Sequence, residues 1–248
     1  MKKWLINLAY PAFVAITIVF IWYITSVVIN VDIILPSPFA AFRNIFNYLV
    51  DSDFWVSVGY TLSRCLISFF VSFFTALILA ILAFKYYYFK KIIDPLMSFI
   101  RAVPTMSIIL ILIIVFSPNT APIIVSFIVI CPTLYQNFYA SINEVDIKII
   151  EMVNFYKVPI KRQILKFYVP TLFPSIVLNS SSGFSLNFKL VIAAEALAQC
   201  FNSIGNLMQY AKINIEIEKL FALTIICVIF SFIFEFLIKL LLRGKRYD

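Results

Sequence analysis

The chain has 248 residues, of which 63% are hydrophobic and 13% are charged, with a net charge of +8 and a mean hydropathy of +1.01. This composition excludes an ordinary soluble globular domain and indicates an integral membrane protein. The basic residues lie beside the ends of apolar runs and not along one face. Membrane topology therefore accounts for the positive charge, and we expect no nucleic-acid partner.

The chain has no histidine, and its four cysteines are scattered without a C-x-x-C pair. This pattern argues against a metal site and against a disulfide framework. We expect the cysteines to be buried small apolar residues.

Uncharged runs predict the membrane spans, because a helix needs about 20 apolar residues to cross a bilayer. The run from Ala102 to Asn143 is about twice that length and contains the turn signal Ser-Pro-Asn-Thr at residues 117–120, so it predicts a helical hairpin. The sequence therefore predicts an all-α integral membrane protein with six transmembrane helices in a single domain, residues 1–248. The other runs are Leu5–Val31, Cys65–Phe84, Tyr168–Phe188 with a continuation to about Ala198, and Phe221–Leu242.

Lysine and arginine indicate the orientation, because short cytoplasmic loops are enriched in them. They concentrate before the first span, between spans two and three, between spans four and five, and after span six. Both termini and the loop from Asn143 to Tyr168 are therefore predicted to be cytoplasmic. The apolar run after Met-Lys-Lys is too long for a signal peptide, so we expect the first span to be retained.

Residues for catalysis are missing from the sequence. It has no G-x-x-x-x-G-K-[ST] phosphate loop, it lacks the histidine of a Ser-His-Asp triad, and its acids form no obvious pair for acid–base chemistry. We therefore expect a protein that is not an enzyme and binds no cofactor itself. If ATP energises it, a partner subunit must bind the ATP and Mg²⁺.

The segment of about 143–169 is charged and amphipathic, unlike the runs on either side of it. Apolar residues of 146–156 fall on one helical face, and Pro159 restricts Val158 to extended conformations. The sequence thus predicts two short helices that meet at a bend, with Pro170 opening the next span. Two interpretations stay open: a docking surface for a partner in water, or an interfacial loop without a partner.

This segment resembles the signature E-A-A-x3-G-x9-I-x-L-P of the inner-membrane permeases of binding-protein-dependent ABC importers. Two of the seven signature residues are retained at the family's spacing, Glu151 and Pro170. Other residues stand in place of Ala-Ala and Gly, namely Met152, Val153 and Lys157. Pro159, two residues after the missing glycine, provides a break in the helix by another route.

Other segments resemble the nitrate, sulfonate, taurine and thiamine-precursor branch of this family, in order and with nearly constant spacing. They are similar to its L-P-S-P, its D-P-L followed by R-P-I-P, a proline in its fourth helix, its W-K-x-V-x-A-A-E and its G-L-G-x-L-I. The matching segments are Leu35–Pro38, Asp94–Leu96, Arg101–Pro104, Pro132, Phe188–Glu195 and Gly205–Met208. The resemblance thus extends from Leu35 to the C-terminus.

The resemblance implies a type I ABC importer permease fold in the bacterial cytoplasmic membrane. It also implies a second permease copy (a homodimer), two ABC ATPase subunits and an extracytoplasmic solute-binding protein, in addition to membrane lipid. The solute-binding protein would meet the loops Pro36–Phe54 and Phe201–Lys219. The substrate would be a small organic or inorganic anion or a heterocyclic vitamin precursor. The ATPase would dock on a coupling helix that includes Glu151, Met152, Val153, Lys157, Pro159 and Pro170.

The predicted fifth span contains a polar run, and polar groups in a membrane helix usually face protein or water. Its candidates for a substrate pathway are Asn179, Ser182, Ser185 and Asn187, and packing between helices is the alternative. Lys189 and Glu195 are further candidates, six residues apart and thus about 120° around the helix, so they should not pair with each other. A structural ion pair to another span, with Arg64 or a symmetry mate, is the alternative to substrate contact.

Three functions follow from these features. The favoured one is an ABC importer permease. The alternative is a membrane assembly or regulatory protein whose basic loop binds a cytosolic partner without transport. A secondary transporter is disfavoured, because six helices without a visible internal repeat would be small for that class.

Overall fold

The computed structural model describes residues 2–144, 155–156, 159 and 169–243. Within these ranges the fold consists of helices and their connections, with no strand. In chain order the helices are α1 (Lys2–Ile29), α2 (Pro38–Val50), α3 (Ser52–Lys85), α4 (Tyr87–Ala102), α5 (Thr105–Val115), α6 (Ala121–Asn143), α7 (Val169–Ala198), α8 (Ile204–Ile213) and α9 (Ile217–Arg243).

Several of these helices are suited to crossing a membrane. α3, α6, α7 from Pro170 and α9 up to Leu240 are long and apolar enough to do so singly. α4 and α5 meet at an angle of 90° and would together form a fifth span, while the apolar stretch Phe13–Ile29 of α1 is shorter. The described part of the chain thus supports four or five spans, and six remain a prediction.

The predicted hairpin of residues 102–143 has its turn in the expected place, but its first arm is short. α5 ends at Val115 and α6 begins at Ala121, on either side of the turn. α5 has only 11 residues, about 16 Å of helix. Pro104 holds Val103 in an extended conformation (φ −70°, ψ 128°) and so separates α5 from α4. The first arm of the predicted hairpin therefore corresponds to α5, which forms a candidate span only together with α4.

Helix α3 is longer than the apolar run that predicted it. Its 34 residues correspond to about 51 Å, more than the ~30 Å of a hydrocarbon core. The run counted from the sequence begins at Cys65, because Arg64 precedes it. The helix itself begins at Ser52, where the side chain of the N-cap Asp51 accepts a hydrogen bond from the amide of Asp53 at 3.0 Å. Arg64 continues the helix because its charge is paired inside the protein.

The Leu-Pro-Ser-Pro segment begins α2 and attaches α1 to the bundle. The Ser37 hydroxyl caps α2 by accepting a hydrogen bond from the amide of Ala40 at 3.2 Å, and Pro38 occupies the first helical turn. The indole of Trp22 in α1 donates to the carbonyl of Pro36 at 3.0 Å. The motif thus has a local structural role.

The core lies where α3, α6 and α7 pack against one another, and α9 also packs on α7. Phe184 of α7 contacts Phe69 of α3, with ring centroids 5.1 Å apart. Gly183 lies so close to α6 that a Cβ atom there would be 2.8 Å from Leu134 Cδ2. In lipid, such close packing contributes more to helix association than the exclusion of water. α7 is therefore at the centre of the described bundle.

A strained residue follows the end of α8. Ile215 has a φ of 59°, in the left-handed region. The amide of Glu216 donates to the carbonyl of Ala211 at 2.8 Å, and the amide of Ile215 donates to the carbonyl of Lys212 at 3.2 Å. These two bonds form a Schellman motif, in which glycine or asparagine usually takes the left-handed position. A β-branched residue is unfavourable there.

Replacement of Ile215 with asparagine is expected to stabilise the protein by about 1 kcal/mol, since it removes this strain from a side chain that is 62% exposed. Thermal unfolding in detergent, followed by a thiol-reactive dye on the free cysteines that are buried in the fold, measures the effect. Ile213→Asn is the control, at an equally exposed helical position, and should not raise Tm. An Ile215→Asn protein with unchanged Tm would contradict the assignment of strain.

Candidate functional site

Glu195 is a fully buried carboxylate near the end of α7. Its Oε1 accepts a hydrogen bond from Arg64 Nη1 of α3 at 2.8 Å, which makes a buried ion pair. Its Oε2 accepts from Thr61 Oγ1 at 2.9 Å and from the amide of Gly205 at 3.4 Å. A buried charge is tolerated when it is paired and hydrogen-bonded in this way. An ion pair to another span was the alternative to substrate contact for Glu195, and the structure pairs Glu195 with Arg64 of α3.

The carboxylate of Glu195 also lies at the N-terminus of α8. The first amides of a helix have no partner within the helix, and they carry the positive end of its dipole. The amide of Ile204 donates to Thr61 Oγ1 at 3.0 Å, and that of Asn206 donates to Ser203 Oγ at 3.0 Å. Together with the bond from Gly205 to Glu195, these contacts give hydrogen-bond acceptors to the first three amides of α8. α8 is thereby fixed to α3 and α7.

Gly205 is required by this close approach. A Cβ atom at this position would lie 2.5 Å from the backbone nitrogen of Ala196, from the carbonyl oxygen of Ile192 and from Glu195 Cβ. Two of these atoms belong to the backbone of α7, which cannot move aside by rotation of a side chain. Glycine is therefore the residue that lets α8 reach the buried carboxylate.

Arg64 extends the network to the turn between α5 and α6. Its Nη2 donates to Asn119 Oδ1 at 3.2 Å. Beside it, the thiol of Cys200 donates to the carbonyl of Pro118 at 2.7 Å. One ion pair and its neighbours thus connect α3, α7, α8 and the α5–α6 turn at one end of the bundle.

A second polar cluster surrounds Asn187, about two helical turns before Glu195 in α7. Its side-chain oxygen accepts hydrogen bonds from Ser68 at 3.0 Å and from Ser126 at 2.5 Å. Its side-chain nitrogen donates to the carbonyl of Cys65 at 2.9 Å. Asn187 is fully buried, so within one chain it joins α3, α6 and α7 and faces no open space.

The other polar residues predicted on α7 divide into two groups. Asn179 donates to Ser141 Oγ at 3.2 Å, and Ser185 shares a hydrogen bond with Ser231 at 2.6 Å, so both pack against neighbouring helices. Ser182 and Lys189 are exposed. They belong to an exposed stripe along α7 at helical spacing, made up of Pro174, Leu178, Ser182, Leu186, Lys189, Ala193 and Leu197.

Most of the predicted coupling residues lie outside the described residues, namely Glu151, Met152, Val153 and Lys157. Pro159 and Pro170 are described, and both are exposed. Pro170 lies in the first turn of α7, where a proline is readily accommodated.

Apart from Arg64, which the sequence offered as a partner for Glu195, the residues of α3 that bond Glu195 and Asn187 were not predicted, namely Thr61, Cys65 and Ser68. A signal for them exists, because small or polar residues recur at every third or fourth position on the buried face of α3. These residues are Ser57, Thr61, Arg64, Ser68, Ser72, Ala76 and Ala80. Such a stripe is typical of closely packed membrane helices. Among the described residues, no cluster of acidic, cysteine or histidine side chains is arranged to hold a metal ion.

Apolar helices of spanning length, packed around buried polar clusters, define a multi-pass integral membrane protein. Residues 72–247 match the family model of the binding-protein-dependent transport system inner membrane component. The match covers most of the chain, and the chain belongs to this family. It is an inner-membrane permease component of an ABC importer. A comparison with curated proteins gives no match. The predicted family is confirmed, and its substrate branch remains a prediction.

Proposed function

We propose that this chain is the transmembrane permease subunit of a bacterial ABC importer, forming the substrate pathway and coupling to a separate ATPase through the loop around Glu151. The family match over residues 72–247 is the observation that carries this proposal. In this proposal the subunit has six spans with both termini in the cytoplasm. A second copy of the chain, two ATPase subunits and a solute-binding protein complete the transporter.

The distribution of charge supports this orientation. Asp32, Glu216 and Glu218 line one surface hollow, where Asn44 of α2 donates to Glu218 Oε2 at 3.2 Å. Acids thus collect at the end of the bundle formed by the α1–α2 and α8–α9 connections. The lysines and arginine of α4 follow the opposite end of α3. Basic residues favour the cytoplasmic side, so the acidic end is the outer one.

The two loops proposed to meet the solute-binding protein adjoin each other at this outer end. A second hollow is lined by Asp51 and Asp53, at the start of α3, and by Asn202 and Asn206, at the start of α8. The predicted segments Pro36–Phe54 and Phe201–Lys219 therefore contribute to one surface. A continuous outer surface of this kind suits the docking of a protein that delivers substrate.

Helix α7 is suited to transmit movement between the two faces of the membrane. It has 30 residues, about 45 Å, and it begins directly after the proposed coupling loop. Its other end carries Glu195, which is bonded to α3 and α8. In the proposed mechanism, closure of the ATPases moves the loop, and α7 carries that movement as a rigid element to the outer ends of α3 and α8. Alternating access follows from this coupled movement.

The proposed pathway lies along the exposed stripe of α7, with Ser182 and Lys189 as its polar residues. Asn179, Ser185 and Asn187 have hydrogen-bond partners within the chain, which favours a structural role for them. Glu195 likewise has a structural role, because its carboxylate is fully buried and paired.

The proposal is tested by co-expression of the chain with candidate ABC ATPases and solute-binding proteins from the same organism. The ATPase should co-purify, and proteoliposomes of the complex should take up substrate when ATP and the binding protein are supplied. Glu151→Lys should lower uptake about tenfold or more, because a reversed charge at a docking contact costs affinity.

The control is Glu144→Lys, which makes the same charge change at an exposed residue at the end of α6, before the signature. This variant should retain most of the uptake. Failure of any ATPase to co-purify with the wild-type chain would reject the proposal, as would equal uptake by the wild type and the Glu151 variant.

A further inference from the structure

Helix α2 has three different faces, and two of them are exposed. The first face packs against the bundle through Ala41, which is fully buried, and through Ile45 and Tyr48, which contact the core. The second face is exposed and apolar along the whole helix. At about 100° per residue, its side chains fall within an arc of about 100°, which makes a continuous stripe. This α2 stripe consists of Phe39, Phe42, Phe46, Leu49 and Val50.

The third face of α2 is polar. It carries Arg43 and Asn47, which are exposed, and Asn44, whose side chain donates to Glu218 Oε2 at 3.2 Å. Glu218 lines the acidic hollow at the outer end of the bundle, so the polar face adjoins that hollow. The polar face and the α2 stripe are therefore exposed on different sides of one helix. Water can solvate the polar face, whereas the stripe is suited to an apolar partner.

The height of α2 in the membrane follows from its contact with α9. α9 has 27 residues and is about 40 Å long, close to the thickness of a bilayer with its headgroups. Glu218, which binds Asn44 of α2, lies in the first turn of α9. α2 is therefore held at the height where α9 enters the headgroup region.

Two tryptophans at the ends of α2 indicate the same height. Trp22 of α1 donates its indole N–H to the carbonyl of Pro36, just before α2, at 3.0 Å. Trp55 of α3 donates to the carbonyl of Leu49, near the end of α2, at 2.9 Å. Tryptophan is enriched at membrane–water interfaces, where its ring is in an apolar environment and its N–H has a polar partner. α2 thus lies between two side chains that favour the interface.

Lipid suits the α2 stripe better than a protein that binds and leaves. Phe39 and Phe46 are 80% and 70% exposed, and no side chain of the stripe has a polar group. A solute-binding protein comes and goes, and each departure would return this apolar surface to water, which is unfavourable. A lipid leaflet covers the stripe at all times.

We propose that α2 is an interfacial helix whose stripe contacts the outer lipid leaflet, at the boundary between headgroups and acyl chains. Its packed face joins it to the bundle, and its polar face points to water, as in amphipathic helices that lie in the membrane surface. The contact is apolar and needs no anionic lipid. Of the segment Pro36–Phe54, α2 then offers a solute-binding protein only its polar face, with Arg43, Asn44 and Asn47. The word outer rests on the proposed orientation, whereas the lipid contact itself does not.

The test places a nitroxide label on one introduced cysteine at a time, Phe46→Cys or Asn47→Cys, in the full chain in phosphatidylcholine nanodiscs. EPR measures collisions of the label with oxygen, which concentrates in hydrocarbon, and with nickel ethylenediamine diacetate, which stays in water. The oxygen-to-nickel ratio should be at least about fivefold higher at position 46 than at position 47, because only the stripe enters the acyl region. Phe39→Cys and Arg43→Cys are a second matched pair, at the other end of α2, and should differ in the same direction.

The unsubstituted protein, whose free cysteines at 65, 131, 200 and 227 are buried or half-buried, gives the background signal. Equal ratios at Phe46 and Asn47 would overturn the inference, because the stripe would then face water. So would a label at Phe46 that neither reagent reaches, since a second copy of the chain would then cover the stripe. Loss of oxygen collisions at Phe46 when a candidate solute-binding protein is added would assign the stripe to that protein.

Nanodiscs of phosphatidylglycerol should give the same ratios as those of phosphatidylcholine. A difference between positions 46 and 47 that appears only with the anionic lipid would contradict an apolar contact. No ATPase or substrate enters these measurements, so their outcome is separate from the test of the proposed function.

Discussion

Replacement of Glu195 with glutamine is expected to destabilise the protein by about 3–5 kcal/mol, because it leaves the Arg64 guanidinium buried without a counter-charge. The two side chains are 0% and 8% exposed, so water cannot take over the role of the carboxylate. Glutamine has nearly the same shape as glutamate, and its amide oxygen can still accept the hydrogen bonds from Thr61 and Gly205. Its amide nitrogen then faces the donor Arg64 Nη1, so the substitution removes the charge and the acceptor of that hydrogen bond together.

Removal of both charges should be less harmful than removal of either one. Arg64→Met leaves the buried carboxylate unpaired and should cost about as much as Glu195→Gln. In the double variant neither charge remains, and a buried ion pair replaced by neutral groups of similar size is often nearly neutral in stability. A double-mutant cycle on thermal unfolding, with the thiol-reactive dye as reporter, measures this coupling.

Glu235→Gln provides the matched control for the buried pair. Glu235 and Lys239 form an ion pair at 2.5 Å on α9, but their side chains are 30% and 44% exposed. Such a pair contributes about 0–1 kcal/mol, so its loss should change Tm little. The buried pair would not be a major source of stability if the Glu195 and Glu235 substitutions lowered Tm equally. The same conclusion would follow if the double variant were as unstable as the sum of its two single variants.

Apolar runs and turn signals were sufficient to predict the end of α7 and the turn between α5 and α6. The fifth predicted span was expected to continue to about Ala198, and α7 ends at that residue. The turn at residues 117–120 was also correctly placed, because proline and asparagine leave few alternatives to a turn. These features depend on local sequence, which is why the sequence alone was enough.

Features that depend on contacts between residues far apart in the sequence could not be predicted from local patterns. The second predicted span began only after Arg64, because a charge normally interrupts an apolar run. In the structure the charge of Arg64 is neutralised by Glu195, which lies 131 positions away in the sequence. The sequence offered Arg64 as one of two partners for Glu195, and only the packing of α3 on α7 distinguishes them. Six spans were predicted from charge-free runs. The described residues support up to five, and the difference lies in α1, whose apolar stretch Phe13–Ile29 is shorter than the candidate spans.

Helix α8 shows how a motif was found without its structural meaning. Gly205–Met208 resembles a family motif, but the motif alone does not predict that the amide of Gly205 bonds to Glu195. The contact requires the end of α7 to turn back on itself, which it does at Gln199, a residue with a φ of 51°. The amide of Cys200 then donates to the carbonyl of Glu195 at 3.2 Å. Glu195 therefore accepts hydrogen bonds through both its side chain and its backbone carbonyl, and both bonds hold the connection between α7 and α8.

Gly205→Ala is expected to destabilise the protein by about 3 kcal/mol, at the upper end of the cost of overpacking. The added methyl group would lie 2.5 Å from two backbone atoms of α7, so α8 as a whole has to move away. That movement also lengthens the hydrogen bond from the Gly205 amide to Glu195, already 3.4 Å long. The loss adds to the steric cost, because the carboxylate is buried and has no water to replace the amide.

Gly59→Ala separates this steric effect from the general preference of helices for alanine. Gly59 lies in α3, and a Cβ atom there would have no other atom within 4 Å. Alanine at this position should stabilise the helix by about 1 kcal/mol. Opposite shifts of Tm for the two variants are therefore expected in thermal unfolding, and a Gly205→Ala protein that is as stable as Gly59→Ala would refute the close approach of α8 to α7.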